Sequence, residues 1–316
     1  MTTTSIDSLS REQSQRRRTR RQLLKGLLFI SPWIIGFVAF SLFPILASLY
    51  YSLTSYSVLK APNFIGLDNY SYMFLKDKLF WKSLYNTIYY TIGAVGLGTV
   101  AAIAMAMLLN MKVRGQAIYR TIFYLPSITP IVASSIVWLW IFNSQYGMAN
   151  SVLRTIGIDP IGWLSSPTWS KPSLILMAVW GLGGAIVIYL AGLQDVPAEL
   201  YEAAQIDGAN GWQQIRNVTL PLLTPVILFN VVTGLIGSFQ YFTQAYIMTN
   251  GGPGDTTLMY SLYLYRTAFE FFKMGYGSAL AWFLLVVIMI CTYLILRGSG
   301  EWVYYAGGGD RSRPRK

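Results

Sequence analysis

Six apolar stretches of about 20 residues or more govern what this chain can fold into. They run from about Leu27 to Leu53, Ser83 to Asn110, Ala117 to Phe142, Ser173 to Gln194, Leu222 to Met248 and Ser278 to Arg297, and none contains Asp or Glu. Segments of that length match the thickness of a bilayer. In hydrocarbon every backbone N–H and C=O must be satisfied within the protein, which leaves helices or closed barrels. Continuous apolar runs of this length specify helices, so the expected fold is all-α and polytopic, with six transmembrane helices. The composition agrees: 54% of the residues are hydrophobic and 12% charged, against about 25% charged in a soluble domain.

Prolines and glycines mark the spans. Pro32 and Pro44 predict an early start and a kink in the first. Gly93, Gly96 and Gly98 suit close helix packing in the second. A basic cluster precedes the first run, as in a signal peptide, but that run is too long for a cleaved leader. The expected organisation is a basic cytoplasmic segment over residues 1–25, a six-span domain over 26–300 and a basic cytoplasmic tail over 301–316. The N-terminal segment is polar enough to be flexible.

The net charge of +11 is concentrated beside the spans and not spread over a face. Arg16, Arg17, Arg18, Arg20, Arg21 and Lys25 form one group; Arg311, Arg313, Arg315 and Lys316 form another. Such clusters fix topology and do not suggest nucleic-acid binding. With both termini inside, the inner segments hold 16 Lys and Arg and the outer segments 8. That bias predicts an N-in, C-in protein of the cell membrane and puts the segment 197–221 in the cytoplasm.

That segment is the one long polar and small-residue stretch between two strongly apolar runs. Pro197 suits a first helical turn, so a short helix is expected over about Ala198–Ile206. Asp207-Gly208 then turns the chain. Asn210 and Gln213 have capping-box spacing and start a second short helix, which Thr219-Leu220-Pro221 is expected to stop. Ala203, Ala204, Gly208, Ala209 and Gly211 would keep one surface thin, and Glu202 and Asp207 offer charge. An ordinary interhelical loop is the plainer reading.

Glu202-Ala203-Ala204, Gly208, Ile215 and Leu220-Pro221 resemble the EAA loop of permease subunits in binding-protein-dependent ABC importers. The fuller pattern is similar to the carbohydrate-uptake branch, the maltose-type subunits, with Val218 where Ile is common. Phe64-Ile65-Gly66-Leu67-Asp68-Asn69-Tyr70 and Asn250-Gly251-Gly252-Pro253-Gly254 resemble further segments of that family. The resemblance implies the type I importer permease fold, a plasma-membrane location in a bacterium or archaeon, and transport of a sugar or sugar-like solute. It also implies a homologous partner permease, two cytoplasmic ATPase subunits and an external solute-binding protein. Glu202, Ala203, Ala204, Asp207 and Gly208 would couple the chain to an ATPase. ATP and Mg are expected on that partner, with no cofactor or metal on this chain.

No span carries an acid, and Arg or Lys occurs only at span ends. Proton- or sodium-driven carriers usually keep ionisable groups near the midplane. A secondary transporter of a neutral solute is therefore the weaker rival, and a non-transporting scaffold is another. A neutral sugar needs hydroxyl and amide groups and aromatic faces in a watery cavity. On a continuous fifth helix, Ser238 and Tyr241 would share one face and Gln240 and Gln244 another. Polar glue between helices is the bland alternative. The family resemblance favours Ser238 and Tyr241 and adds Gly184 and Tyr189 on the fourth span. Trp138 and Trp140 read as belt residues at the membrane interface.

The chain has no histidine, one cysteine and no phosphate-cradling Gly-x-x-x-x-Gly-Lys-Ser/Thr loop, so nothing marks a catalytic site or P-loop ATP hydrolysis. One internal echo stands out. Arg120 precedes Leu125-Pro126 and Thr129-Pro130, as Arg216 precedes Leu220-Pro221 and Thr224-Pro225. The echo reads either as a parallel repeat or as two independent proline-relaxed helix starts.

Overall fold

A computed structural model describes residue 20 and residues 22–111, 113–300 and 302–304. Most of the basic segment 1–25 and of the tail 301–316 lies outside the described residues. The chain is mainly helical, as its apolar runs require. Four helices are long and apolar enough to cross a membrane, and two bent helix pairs raise the number of candidate spans to six.

The first helix, α1, runs Gln22–Ser52. A π-turn at Val38–Leu42 lies two residues before Pro44, where a kink had been expected, and the helix continues through it. Widening the turn to i→i+5 bonding lets the helix pass a residue that has no N–H to give. Phe29, Trp33 and Phe40 are 86%, 70% and 84% exposed, a surface suited to lipid or to another subunit and not to water.

A small antiparallel hairpin follows, β1 (Thr54–Ser57) and β2 (Lys60–Phe64), where the sequence had predicted no strand. Helix α2 is Asp68–Leu75 and α3 is Lys78–Asn110. The second span thus begins a turn earlier than its apolar run, because Asp77 caps it: the carboxylate accepts from Leu79 N at 2.9 Å and Phe80 N at 3.1 Å.

The third span is not one helix. It divides into α4 (Gln116–Ile128) and α5 (Ile131–Ile141), bent by 100°. Thr129 precedes Pro130 and takes ψ 130°, since proline disfavours the helical region for the residue before it. Helix α6 is Met148–Thr155. The fourth span is likewise two helices, α7 (Ser170–Trp180) and α8 (Gly183–Gln194), bent by 49°. Trp138 departs from the belt reading: it is partly buried against the core, with its ring edge-on to Trp180 at 5.8 Å.

Helix α9 is Ala198–Ile206 and α10 is Gly211–Phe239. Thr219-Leu220-Pro221 does not end the second short helix, as had been expected. A π-turn at Ile215–Thr219 carries the helix past Pro221, the same device as in α1. The sequence echo therefore has two outcomes, a 100° break at Thr129-Pro130 and a continuous helix at Thr224-Pro225. The fifth span also stops earlier than its apolar run. α10 ends at Phe239, Gln240–Phe242 are non-helical, and α11 covers Thr243–Met248. Helix α12 is Tyr260–Tyr265 and α13 is Met274–Ser299.

α3 is the hub, packed against α7, α8, α10 and α12, while α13 packs on α1. Polar ties gather at one end. Asn86 Nδ2 donates to Asp255 O at 2.8 Å and Leu258 O at 3.1 Å, and Tyr260 N donates to Thr87 Oγ1 at 2.8 Å. The buried Asp77 carboxylate also accepts from Tyr263 Oη at 2.5 Å and from Tyr276 Oη. Burial and the contact with Asp77 push the Tyr263 phenol well above its usual range, so it remains a donor. The opposite end holds the α9–α10 knob.

Candidate functional site

Two adjoining chambers run between α3, α7, α8 and α10. The one nearer the knob has a volume of about 400 Å³ and is lined by Thr99, Tyr189, Asn230 and Thr233 among others. The far chamber, about 520 Å³, is lined by Ser127, Thr129, Ser134, Trp180, Tyr241 and Gln244 among others. Tyr90, Ala178, Gly234 and Ser238 line both and form the waist. Among the described residues no Asp, Glu, Lys or Arg faces either chamber.

Small residues set the spacing. A Cβ on Gly98 would meet Leu182 Cδ2 at 3.2 Å, and one on Gly183 would meet Phe123 O at 2.7 Å. The break in α7/α8 thus lets α8 approach α4 closely, while the waist stays open.

Two buried phenols give the cavity its chemistry. Tyr189 is 0% exposed and Tyr241 7%, and neither hydroxyl has a hydrogen-bond partner. Thr99 stands beside the Tyr189 hydroxyl and the Tyr90 hydroxyl beside that of Tyr241, but neither neighbour has bonding geometry. An unmade buried hydrogen bond costs about 1–3 kcal/mol, so both positions favour a ligand that brings hydroxyls. The Tyr241 ring lies against the Tyr90 ring with centroids 4.1 Å apart. One of its faces is therefore already covered, and the hydroxyl is what remains to offer.

The residues predicted from sequence fall in different places. Ser238 is at the waist, Tyr241 and Gln244 face the far chamber, and Tyr189 faces the near one. Gln240 is exposed. α10 ends at Phe239 and the next helix starts at Thr243, so neither expected pair shares a helical face: Tyr241 lies beyond the helix that carries Ser238, and Gln240 is separated from Gln244 by the break. Gly184 lines neither chamber; its neighbour Gly183 makes the close contact. Sequence reasoning missed Tyr90, Thr99, Asn230 and Thr233. Asn230 had a signal: it is the one amide in the apolar run before Gly237, and it stands two steps of four residues before Ser238, with Gly234 between.

At the knob, the capping box forms as spaced. Gln213 N donates to Asn210 Oδ1 at 2.9 Å and Asn210 N donates to Gln213 Oε1 at 2.7 Å. Gly208 has φ +78°, the left-handed conformation that penalises a Cβ. Tyr201 Oη and Thr219 Oγ1, 2.9 Å apart, tie α9 back to α10. Glu202, Ala203, Asp207 and Gly208 are exposed, whereas Ala204 and Ala209 are half-buried. The thin surface is thus narrower than the sequence suggested. It is flanked by two large apolar side chains that sequence reasoning passed over, Ile206 at 87% and Trp212 at 68% exposure.

Comparison with known proteins agrees with this architecture. The chain is 45% identical to a probable ABC transporter permease protein of Bacillus subtilis, over 96% of this chain and 98% of the relative. It is 36% identical to the lactose transport system permease protein of Rhizobium radiobacter, over 95% and 99% respectively. A solved bacterial ABC transporter that imports the acidic polysaccharide alginate contains a chain with a TM-score of 0.76 and 26% identity, covering 92% of this chain and 99% of that one. The profile of the family described as binding-protein-dependent transport system inner membrane component matches residues 94–303. With two thirds of its length inside that profile and its spans arranged as in a type I importer, the chain belongs to this family of multi-pass inner-membrane permease subunits.

Proposed function

We propose that this chain is a permease subunit of an ATP-driven importer for a sugar or sugar-like solute, built with a homologous permease, two cytoplasmic ATPases and an external solute-binding protein. The observation that carries the reading is the pair of uncharged chambers that share a waist, each with one unpartnered phenol hydroxyl, Tyr189 in the near one and Tyr241 in the far one. A solute rich in hydroxyls satisfies such groups, and an ion would find no counter-charge there. The relatives named for lactose and for alginate transport support a saccharide. A related solved structure, in complex with an alginate-bound periplasmic protein, supports delivery by a binding protein.

In this reading both termini are cytoplasmic and the knob docks on an ATPase. Glu202, Ala203, Ala204, Asp207 and Gly208 form its contact surface, and Ile206 and Trp212 bury apolar area beside them. Hydrolysis belongs to the ATPase chains, and this chain converts their closure into exposure of the chambers to one side or the other.

The test is uptake of labelled oligosaccharides into vesicles that hold this chain with its co-expressed partner permease and ATPases, with the binding protein outside. The expected result is uptake that requires both ATP inside the vesicle and the binding protein. Uptake driven by an ion gradient without ATP would overturn the proposal.

A further inference from the structure

A groove separate from both chambers lies between α4 and α8 at the knob end, with a volume of about 270 Å³. Its wall is one stripe of α8: Ile186, Val187, Leu190 and Ala191, ending in Gln194. The stripe begins at Gly183, where α8 closes on α4, and spans about 16 Å at the helical rise of 1.5 Å per residue. Arg120 of α4 faces the same groove. Among the described residues its guanidinium makes one long hydrogen bond, from Nη2 to Leu109 O at 3.4 Å. That carbonyl already accepts from Gln116 Nε2 at 2.7 Å. Arg120 Nε is buried without a partner, and the only ion pair among the described residues is elsewhere, between Arg266 and Glu270.

A partly buried, unpaired guanidinium at one end of an apolar slot matches an amphiphile with an anionic head. We infer that this groove binds an anionic phospholipid, its phosphate on Arg120 and one acyl chain along the α8 stripe. Arg suits the role because its planar fork matches phosphate oxygens and remains charged. A free phosphate would satisfy Arg120 but leave the apolar length unused, which favours the lipid. Only the leaflet depends on the proposed orientation: with the knob in the cytoplasm, the phosphate lies at the cytoplasmic surface, where anionic lipid is recognised by basic pockets.

The test is native mass spectrometry of the full-length chain, purified with whatever subunits accompany it and incubated with phosphatidylglycerol or phosphatidylcholine. Wild type should retain phosphatidylglycerol over phosphatidylcholine by about fivefold or more, the scale of one surface cation on an anionic lipid. Arg120→Gln should lose that preference, and the exposed Arg114→Gln should keep it. Val187→Trp fills the groove from a position that is 47% exposed; it should prevent retention of either lipid and decides the matter if Arg120→Gln fails to assemble. An equal preference in Arg120→Gln and wild type overturns the site, as does absence of any preference in wild type. Displacement of the lipid by millimolar inorganic phosphate overturns the lipid assignment in favour of a free anion. None of these readouts involves uptake, so the site stands or falls apart from the transport reading.

Discussion

Tyr241 has a ring face that is occupied and a hydroxyl that is not, and the two call for different variants. Tyr241→Ala removes a buried aromatic beside Tyr90, at about 3–5 kcal/mol of stability, so lost transport there would say little about solute. Tyr241→Phe keeps the packing and removes the unpartnered hydroxyl. If that hydroxyl meets a substrate hydroxyl, the expected change is about a fivefold rise in the transport KM, equivalent to a hydrogen bond of about 1 kcal/mol, with assembly unaltered. A wild-type KM in Tyr241→Phe would return the residue to packing. Individual polar residues were only partly legible in the sequence for a plain reason. Helical spacing assigns faces only while the helix continues, and α10 ends at Phe239, so both expected face pairs, Ser238 with Tyr241 and Gln240 with Gln244, fail at the same point.

At the scale of an element, the knob separates folding from docking. A Cβ at Gly208 would meet nothing within 4 Å in this chain, so the internal penalty of a side chain is backbone strain alone, about 1–2 kcal/mol for a left-handed residue. Asn tolerates that conformation better than most. Gly208→Asn is therefore expected to insert and fold normally yet to co-purify poorly with its ATPase, because the side chain stands in the docking surface. Normal co-purification together with solute-stimulated hydrolysis would remove Gly208 from the contact. Asn210→Ala tests the converse. Losing the capping box should cost about 1 kcal/mol locally, seen as faster amide exchange over residues 210–214, while the exposed Glu202–Gly208 surface is left chemically intact. Span number and order were legible because length and hydropathy report membrane crossing directly. Span shape was not. Thr129-Pro130 breaks a helix that Thr224-Pro225, the same dipeptide in the echo, does not, so the dipeptide alone does not decide the shape of a span.

For the whole molecule, the hydrogen bonds sort the connecting segments to two ends without any reference to charge. Residues near 52–87, 163–173 and 250–263 are bonded to one another: Asn69 to Ser52 and Thr54, Asn86 to Asp255 and Leu258, Lys171 to Asn86, and Ser170 to Thr256. At the other end Tyr304 bonds to Thr224 and Tyr201 to Thr219, and Leu109, Arg120 and Gln194 line one groove, which joins the Leu109–Arg120 connection to the start of the knob. The bent pairs α4/α5 and α7/α8 therefore each connect one end to the other despite their angles. By sequence, the excess of Lys and Arg falls in the terminal segments and in the connections at the knob end, most of it outside the described residues, and the charge rule then predicts that this end is cytoplasmic. Two sites can test it with little structural cost: Leu59 in the hairpin, 89% exposed, and Ile206 on the knob, 87% exposed. In a chain expressed without its ATPase, so that the knob is uncovered, and with its single Cys291 replaced by Ala, Leu59→Cys should react with a membrane-impermeant maleimide in intact cells. Ile206→Cys should react only after the membrane is opened. Labelling of both from outside would refute the topology, and with it the assignment of the knob to a cytoplasmic ATPase. Labelling of Ile206→Cys alone in intact cells would invert the orientation and place the Arg120 groove in the outer leaflet.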